Sequence, residues 1–376
     1  MSQAEARLAR LRGGAAPRPH NARTIAALTG NPGCARRAVL DAAGIDKQRL
    51  AGYAGFPAPF GQSQFAITRG NAFEALVKAD GCAELLRLLR EQLGLPVPEV
   101  SYADLEQVGG SGGLDLRHAR TRALLERAAA SGPDAGTLFD HPLLRLTVGG
   151  QPAYLEPDLI AFRLHGQFRV VEIKSFAIID GQADPEKARA AAIQSAVYVL
   201  ALRELLAGIG ADRPGMVSDR VILVCPENFS NRPAAAELDV RKQLTVLRRQ
   251  LSRLGRVDDL IAQLPDGLTF GLGIDQAGVP RRPAAEVAAA LLAVPARYMP
   301  ECLASCELCY FCREESRGTT AALGRAVRDD LGGAEYVTTA LRLAAGETEP
   351  AAEDAETAGM LRSAMRLRAQ CLGEVS

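Results

Sequence analysis

The chain has 376 residues, of which 48% are hydrophobic, and it carries 44 basic and 44 acidic residues. This length suits two average domains or one large domain with insertions. Because the charges balance, the composition excludes a protein that coats duplex DNA with an overall positive field. Any contact with nucleic acid must come from local patches.

The start of the sequence lacks the charged segment and apolar region of a secretory signal, and no apolar run is expected to reach the length of a membrane span. The sequence therefore predicts a cytoplasmic protein without membrane contact. That compartment is reducing, so the eight cysteines are interpreted as metal ligands or core thiols rather than as disulfides.

The order of sequence patterns predicts six regions. Residues 1–23 are rich in Arg, Ala and Pro and are predicted to form a flexible arm. Apolar residues at helical spacing follow, in helices at about 24–43, 70–93 and 116–130. The predicted regions after the arm are a helical N-terminal region over 24–148, a core over 149–231, a helical insertion over 232–295, a cysteine segment over 296–316 and a helical tail over 317–376.

A predicted hairpin carries two acidic residues. Strand-like runs over 154–164 and 168–173 flank His165-Gly166-Gln167, which is a hairpin signal. In such a hairpin Asp158 and Glu172 lie opposite each other or within one residue of it, with Cβ atoms about 4.5–5.5 Å apart. Two carboxylates that close repel each other unless a cation lies between them.

Lys174 is two residues beyond Glu172 and therefore shares its face of the strand. Burying Asp, Glu and Lys together in an apolar strand is expensive. A hard divalent cation explains all three, with Asp158 and Glu172 as ligands of Mg²⁺ or Mn²⁺, helped by the Ile173 carbonyl. Lys174 would then orient or deprotonate the attacking water. The alternative is a surface salt bridge between Glu172 and Lys174.

Further polar residues are predicted to join this site. Asp184-Pro185-Glu186 begins a long helix with proline in its first turn. That helix carries Gln194 and Tyr198, which are four residues apart and share one face. Upstream, Glu74 lies on another predicted helix, where a third carboxylate could complete the metal shell. The alternative for Glu74 is an ordinary carboxylate on a helix surface.

These motifs resemble those of a known nuclease superfamily. Pro157-Asp158, thirteen residues and then Glu172-Ile173-Lys174 resembles the PD-(D/E)xK nuclease core. Gln194-x-x-x-Tyr198 is similar to the motif that marks its RecB-like branch, and Arg69-Gly70-Asn71-Ala72-Phe73-Glu74 resembles the first motif of that branch. The resemblance implies an α/β fold with a mixed central sheet flanked by helices, helical N- and C-terminal extensions, and a nuclease core over 149–231. It also implies that the Gln and Tyr lie beside the metal.

The resemblance implies a Mg²⁺- or Mn²⁺-dependent deoxyribonuclease, with exonuclease favoured over endonuclease and single strands or DNA ends as the favoured substrate. DNA repair, recombination or phage defence would be the setting. The sequence contains no phosphate loop of the G-x-x-x-x-G-K-[ST] type, so a separate helicase or defence-system partner is expected. The alternative is a zinc- or cluster-stabilised DNA-binding or scaffold protein with an inactive nuclease-like core. The intact Asp158, Glu172 and Lys174 favour the enzyme.

Five cysteines form a second candidate site. Cys302, Cys306, Cys309 and Cys312 fall within eleven residues, and Cys34 lies far upstream. This layout resembles that of RecB-like iron–sulfur nucleases, including CRISPR-associated exonucleases and the AddB type, in which one cysteine precedes the core and three follow it. That resemblance implies a [4Fe–4S] cluster on Cys34, Cys302, Cys306 and Cys312. Cys309 is one cysteine more than the layout needs and is the alternative ligand.

Coordination by thiolates alone also suits tetrahedral zinc, which the spacing does not separate from an iron–sulfur cluster. The other three cysteines, Cys82, Cys225 and Cys371, are interpreted as core or surface thiols.

Two weaker patterns could serve nucleic-acid binding. An Arg-rich helix from Arg241 to Arg256 could follow a phosphate backbone, although a solvated face over a leucine stripe is the favoured interpretation. Loop aromatic residues could stack on unpaired bases, although ordinary packing is favoured. The stripe comprises Leu244, Leu247, Leu251 and Leu254, and the aromatic residues are Tyr53, Phe56, Phe60 and Phe65.

Overall fold

The structure is a computed structural model. It describes residues 3–28, 31, 33–58, 64–95, 97, 100–108, 113–131, 136–148, 151–164, 166–211, 213–228, 230–254, 257–275 and 277–373. The chain divides into two compact units. Unit 1 comprises Met1–Ala16, Gly30–Phe60 and Leu260–Ser376, and unit 2 comprises Pro17–Thr29 and Gly61–Asp259. Unit 1 therefore combines segments that precede and follow most of unit 2 in the sequence.

The strands all belong to unit 2. In chain order they are β1 (Val100–Asp104), β2 (Gly136–Asp140), β3 (Leu144–Val148), β4 (Gln151–Leu155), β5 (Leu159–Leu164), β6 (Gln167–Ile173), β7 (Ile178–Ile179), β8 (Gln182–Ala183), β9 (Arg220–Pro226) and β10 (Pro233–Asp239).

Helices occur in both units. Those of unit 1 are α1 (Gln3–Arg12), α3 (Ala35–Ala42), α4 (Lys47–Tyr53), α10 (Ala284–Leu292), α11 (Cys302–Ser305), α12 (Cys309–Glu315), α13 (Arg325–Asp330), α14 (Val337–Ala345) and α15 (Ala355–Cys371). Those of unit 2 are α2 (Ala22–Leu28), α5 (Gln64–Glu91), α6 (Leu114–Ala130), α7 (Pro185–Gly208) and α8 (Arg241–Leu254), and α9 (Val257–Ala262) follows α8.

Unit 2 is built on a six-stranded mixed sheet in the order β1-β2-β5-β6-β9-β10. The β1–β2 and β6–β9 pairs are parallel, whereas β2–β5, β5–β6 and β9–β10 are antiparallel. Separate antiparallel pairs are formed by β3 with β4 and by β7 with β8. The predicted fold class, an α/β fold with a mixed central sheet and flanking helices, is confirmed at this level.

Helices cover both faces of the sheet, which is why its central strands are almost continuously apolar. On one face, Val171 of β6 packs in a core cluster with Phe73 and Leu85 of α5. On the other, Val170 packs in a cluster with Val197 of α7. Because side chains alternate along a strand, Glu172 and Lys174 point to the α7 side with Val170.

The helix α7 begins as the sequence predicts. Asp184 is its N-cap and accepts hydrogen bonds of 3.0 Å from the backbone N–H groups of Glu186 and Lys187, and Pro185 stands in the first turn. By length and composition α7 could cross a membrane, contrary to the expectation that no run is long enough, but 67% of its most apolar window is buried inside the protein. Buried core helices meet the same criterion.

Four regions differ from the predicted organisation. Residues 1–23 contain α1, whose Leu11 is fully buried, rather than a flexible arm. The predicted helical regions 24–148 and 232–295 supply β1, β2 and β10 to the central sheet. The predicted strand over 154–164 is divided between β4 and β5. Of these strands, β1 and β2 are short. The Ala-rich β10 is held by pairing with β9, which outweighs its weak intrinsic strand propensity.

We predict that Asp184→Ala lowers the free energy of unfolding of unit 2 by about 1 kcal/mol, because two N–H groups of the first turn lose their acceptor. Asp184→Asn keeps a capping oxygen and should cost less. Thermal unfolding followed by circular dichroism measures both variants. Equal stability of the Ala variant and the wild type would contradict this role of the cap.

Candidate functional site

The β5–β6 hairpin has the predicted register, in which Leu159 pairs with Val171. Asp158 directly precedes β5, and its Oδ2 accepts a hydrogen bond of 2.6 Å from the backbone N–H of Ile173. This bond holds the Asp158 carboxylate beside Ile173, the residue after Glu172, at the end of β6.

Glu172 is a buried carboxylate whose two oxygens are only partly paired with other groups. Lys174 Nζ forms an ion pair with its Oε1, whereas Oε2 has no hydrogen-bond partner within the described part of the chain. Burial, together with the charge of Asp158, raises the pKa of Glu172 to about 8. Burial also raises the pKa of Asp158, against the opposing effect of Lys174. The Lys174 ammonium thus faces a buried carboxylate, Glu172, and a half-buried one, Asp158, so this position is short of positive charge.

Glu74 on α5 adds a third carboxylate. Burial is the largest cause of the raised pKa of both Asp158 and Glu172, and the negative charge of Glu74 is a further cause in the same direction. Glu74 Oε1 lies 2.5 Å from Lys78 Nζ and 3.3 Å from His141 Nε2. Although burial opposes the shift, hydrogen bonds from His141 and Lys78 lower the pKa of Glu74 to about 2. Glu74 is therefore ionised and electrostatically coupled to the other two acids.

The course of α5 explains how Glu74 reaches this place. A Cβ added to Gly70 would lie 3.9 Å from Ser175 Oγ, so the start of α5 passes beside the end of β6. The helix is interrupted at residues 79–82, where Asp80 and Cys82 adopt positive φ. Glu74 therefore lies on the regular part of α5 that precedes this break.

A neighbouring polar group was not identified from the sequence. Ligand atoms of Asp104, Asp140 and His141 lie within 4.8 Å of one another and could hold a metal ion. Asp140 Oδ1 is also 2.7 Å from Lys78 Nζ, so this buried carboxylate already has a cationic partner. The available signal was an Asp-His pair at the end of β2, where Asp140 is the last residue of the strand.

Gln194 and Tyr198 lie together on α7, with Gln194 Nε2 donating a hydrogen bond of 2.9 Å to Tyr198 Oη. Burial, followed by the charge of Glu172, raises the pKa of Tyr198, and Asp158 contributes in the same direction. Tyr198 is therefore within electrostatic reach of both carboxylates. The six predicted nuclease-site side chains are brought into one region of unit 2.

Arg117 of α6 links two segments that carry acidic residues. Its Nε donates a hydrogen bond of 3.1 Å to the carbonyl of His141, and its Nη2 lies 2.7 Å from Glu156 Oε1. Because Glu156 is two residues before Asp158, Arg117 restrains the approach to β5. The helix α6 carries several arginines, and nothing in the sequence distinguished Arg117 from the others.

All five candidate cysteine ligands belong to unit 1. Cys34 is the N-cap of α3, Cys302 begins α11, and Cys306 follows its last residue. Cys309 and Cys312 lie three residues apart on α12. The four C-terminal thiols are buried and Cys34 is partly exposed.

The thiols are close enough to interact electrostatically. Burial raises the pKa of Cys312 to about 11, with a contribution from Cys34. Burial also raises the pKa of Cys309, with a contribution from Cys302. Such thiols hold their protons at neutral pH unless a metal cation replaces them.

The fifth thiol has cationic surroundings. Burial raises the pKa of Cys306 to about 12, while the positive charges of Arg37 and Lys47 oppose the shift. Arg37 lies 3.2 Å from Asp41 Oδ2, and Lys47 pairs with the same carboxylate. These cations would favour the thiolate form of Cys306.

Two of the sulfurs accept hydrogen bonds from side chains. Asn31 Nδ2 lies 3.2 Å from Cys302 Sγ, and Arg36 Nη1 lies 3.3 Å from Cys312 Sγ. Donors of this kind commonly surround metal-bound thiolates. Asn31 also donates to the backbone carbonyl of Arg297. The remaining cysteines behave as the sequence predicts, with two buried thiols and one exposed, at Cys82, Cys225 and Cys371.

The leucine stripe predicted for α8 faces the core, since Leu244 and Leu247 are buried and Leu251 packs beside them. The side chains of Arg253 and Leu254, and all of Arg256, lie outside the described residues.

The loop aromatics, for which ordinary packing is the favoured interpretation, have varied surroundings. Tyr53 Oη donates a hydrogen bond of 2.5 Å to the Arg282 carbonyl, and Phe56 packs edge-on against Phe311 with ring centroids 5.4 Å apart. Phe65 is exposed, and Phe60 lies outside the described residues. Ordinary packing accounts for Tyr53 and Phe56.

Comparison with known proteins gives no match to this chain: no protein-family model, no curated protein and no solved structure matches it significantly.

We predict that Glu172→Gln raises the melting temperature of the metal-free protein at about pH 8. The pKa of Glu172 is raised from 4.5 to about 8 by folding, so the cost of its burial is absent below the lower value and grows as the pH rises through this window. Differential scanning fluorimetry across pH measures the effect.

The matched control is Glu237→Gln. Although burial opposes the shift, hydrogen bonds from Arg220 and Arg169 lower the pKa of Glu237, so its replacement should lower the melting temperature at the same pH. If both substitutions destabilise the protein equally, Glu172 is not an uncompensated buried acid.

Proposed function

We propose that the protein is a Mg²⁺- or Mn²⁺-dependent DNA nuclease of the RecB-like PD-(D/E)xK kind. The observation that supports it best is the buried Glu172, whose Oε2 lacks a hydrogen-bond partner among the described residues. The half-buried carboxylate of Asp158 and the ionised Glu74 act on it electrostatically. Several carboxylate oxygens around a place short of positive charge are the donor set of a hard divalent cation.

The carboxylates of Asp158, Glu172 and Glu74, with the Ile173 carbonyl, would hold the metal. When bound, Mg²⁺ or Mn²⁺ supplies a Lewis acid for the phosphate and lowers the pKa of a coordinated water. Lys174 is partly exposed, so its ammonium can turn towards the scissile phosphate and orient the attacking water.

Tyr198 and Gln194 would position water or substrate beside the acids, because Tyr198 lies within electrostatic reach of both. The exposed Arg23 of α2 is near enough to Lys174 for their charges to interact. Two cations at the edge of the site suit a phosphate backbone. Single-stranded DNA or DNA ends, exonuclease action, a separate helicase or defence partner and a cytoplasmic location belong to the same proposal.

We predict that Asp158→Ala and Lys174→Ala each lower metal-dependent DNA hydrolysis by several orders of magnitude, because one removes a metal ligand and the other a positioned cation. The assay is cleavage of end-labelled single- and double-stranded DNA with and without Mg²⁺ or Mn²⁺. Asp239→Ala and Lys187→Ala, which alter exposed residues, are the matched controls.

Undiminished cleavage by Asp158→Ala would overturn the proposed centre. DNA binding without cleavage by the wild type, in both metals, would instead support the scaffold alternative with an inactive core.

We further propose that unit 1 holds a [4Fe–4S] cluster on Cys34, Cys302, Cys306 and Cys312, with Cys309 as the substitute ligand near Cys302. Four thiolates also suit a tetrahedral zinc ion, so zinc is the alternative that metal analysis of the purified protein distinguishes from the cluster.

We predict that Cys34→Ala loses the brown colour and iron of the anaerobically purified protein and melts at a lower temperature. Closing a chain loop of on the order of 100 residues or more is worth roughly 4–5 kcal/mol on the disulfide scale, and a site that forms only in the folded protein adds to this. Iron analysis, visible spectra and thermal unfolding measure these changes.

The matched pair is Cys306→Ala, expected to lose iron, and Cys309→Ala, expected to retain it. The reverse result would exchange their roles. Full iron content in Cys34→Ala with loss in Cys309→Ala would place all four ligands in the C-terminal segment. A colourless wild type with one zinc per chain would replace the cluster by zinc.

A further inference from the structure

Arg36 is a charged side chain that lies entirely out of contact with solvent. Its Nη1 lies 3.3 Å from Cys312 Sγ and 2.5 Å from Glu315 Oε2, and its Nη2 lies 3.0 Å from Glu315 Oε1. Its Nε donates a hydrogen bond of 3.0 Å to the Val294 carbonyl. The guanidinium also lies 5.4 Å from the ring centroid of Phe311. Each of the three guanidinium nitrogens therefore has a hydrogen-bond partner.

The position of Arg36 in the chain connects two of the cysteines. It is two residues after Cys34, on α3, and its partners Cys312 and Glu315 lie on α12. Glu315 alone would suffice to neutralise a buried arginine. The additional contact with Cys312 places a positive N–H group on the sulfur, where a thiolate is stabilised and a thiol is not.

We propose that Arg36 is a positioning residue of the cysteine centre, which holds the Cys312 sulfur in place for the metal and stabilises the reduced form of the bound cluster. The proposal rests on the proposed [4Fe–4S] cluster. Reduction adds one negative charge to the cluster, and hydrogen bonds and positive charge near its sulfurs favour the more negative state. Asn31 donates to Cys302 Sγ and would act in the same direction without a charge.

Unit 1 offers a matched control for the burial of an arginine. Arg7 is also buried, but its guanidinium donates to the backbone carbonyls of Leu264, Pro265 and Asp266 and to no sulfur. Arg7→Met should therefore lower stability without changing the properties of the metal centre. A purely structural Arg36 would behave in the same way.

The experiment compares the anaerobically purified full chain as wild type, Arg36→Met, Arg36→Lys, Asn31→Ala and Arg7→Met. Iron content, the midpoint potential from a redox titration and the rate of metal loss to a chelator are measured. We expect Arg36→Met to lose metal about 10–100-fold faster, the range for residues that support metal ligands. Its reduction equilibrium should shift about tenfold towards the oxidised form, or about 59 mV for one electron.

Arg36→Lys keeps the charge but lacks the planar fork, so it should restore part of the potential. Asn31→Ala should shift the potential in the same direction by a smaller amount, and it keeps the test available if Arg36→Met does not fold. Potentials and metal-loss rates for Arg36→Met and Asn31→Ala that equal those of the wild type and Arg7→Met would overturn the proposal.

If the wild type is colourless and holds zinc, the cluster proposal fails, and the zinc-loss rates then decide the role of Arg36. Faster zinc loss in Arg36→Met than in Arg7→Met would keep Arg36 as the residue that holds Cys312. Equal rates would remove that role as well.

Discussion

The constraint on which unit 2 depends is the placement of a buried carboxylate, Glu172, and a half-buried one, Asp158, beside the ammonium of Lys174. Asp158 and Glu172 meet at the end of the β5–β6 hairpin, and Lys174 faces both. In a medium of low dielectric this arrangement costs free energy unless another positive charge is present. The packing of the apolar strands and helices around the site offsets this free-energy cost. A divalent cation, as proposed, would remove this cost.

The same principle operates in unit 1, where the buried groups are thiols. Burial keeps them protonated, and the cations that approach them are Arg36 at Cys312 and Arg37 and Lys47 at Cys306. Asp41 and Glu315 compensate these cations in turn. Glu307 adds a third acid, 3.6 Å from Lys47 Nζ, so these charged side chains balance when the thiols are protonated. In the proposed cluster the thiolates would exchange their protons for metal, which would couple metal binding to folding of this unit.

Sequence patterns predicted the features that depend on residues close together in the chain. The hairpin register and the start of α7 at Asp184 follow from turn and capping signals, and both are present. The strands β1, β2 and β10 were missed because their pairing partners, rather than their composition, make them strands. His141 and Arg117 were missed for a related reason: their roles depend on partners distant in the chain, Glu74 for His141 and Glu156 for Arg117. The proximity of Glu74 to the hairpin acids was predictable only through a resemblance.

The most direct test of the central account is the position of a bound metal. Crystals grown with Mn²⁺ would be measured at the manganese absorption edge, with a control crystal of Asp158→Ala. The account predicts an anomalous peak at bonding distance from the carboxylates of Asp158 and Glu172 in the wild type, and its loss in the variant. A peak among Asp104, Asp140 and His141 alone, or a peak unchanged in Asp158→Ala, would contradict it.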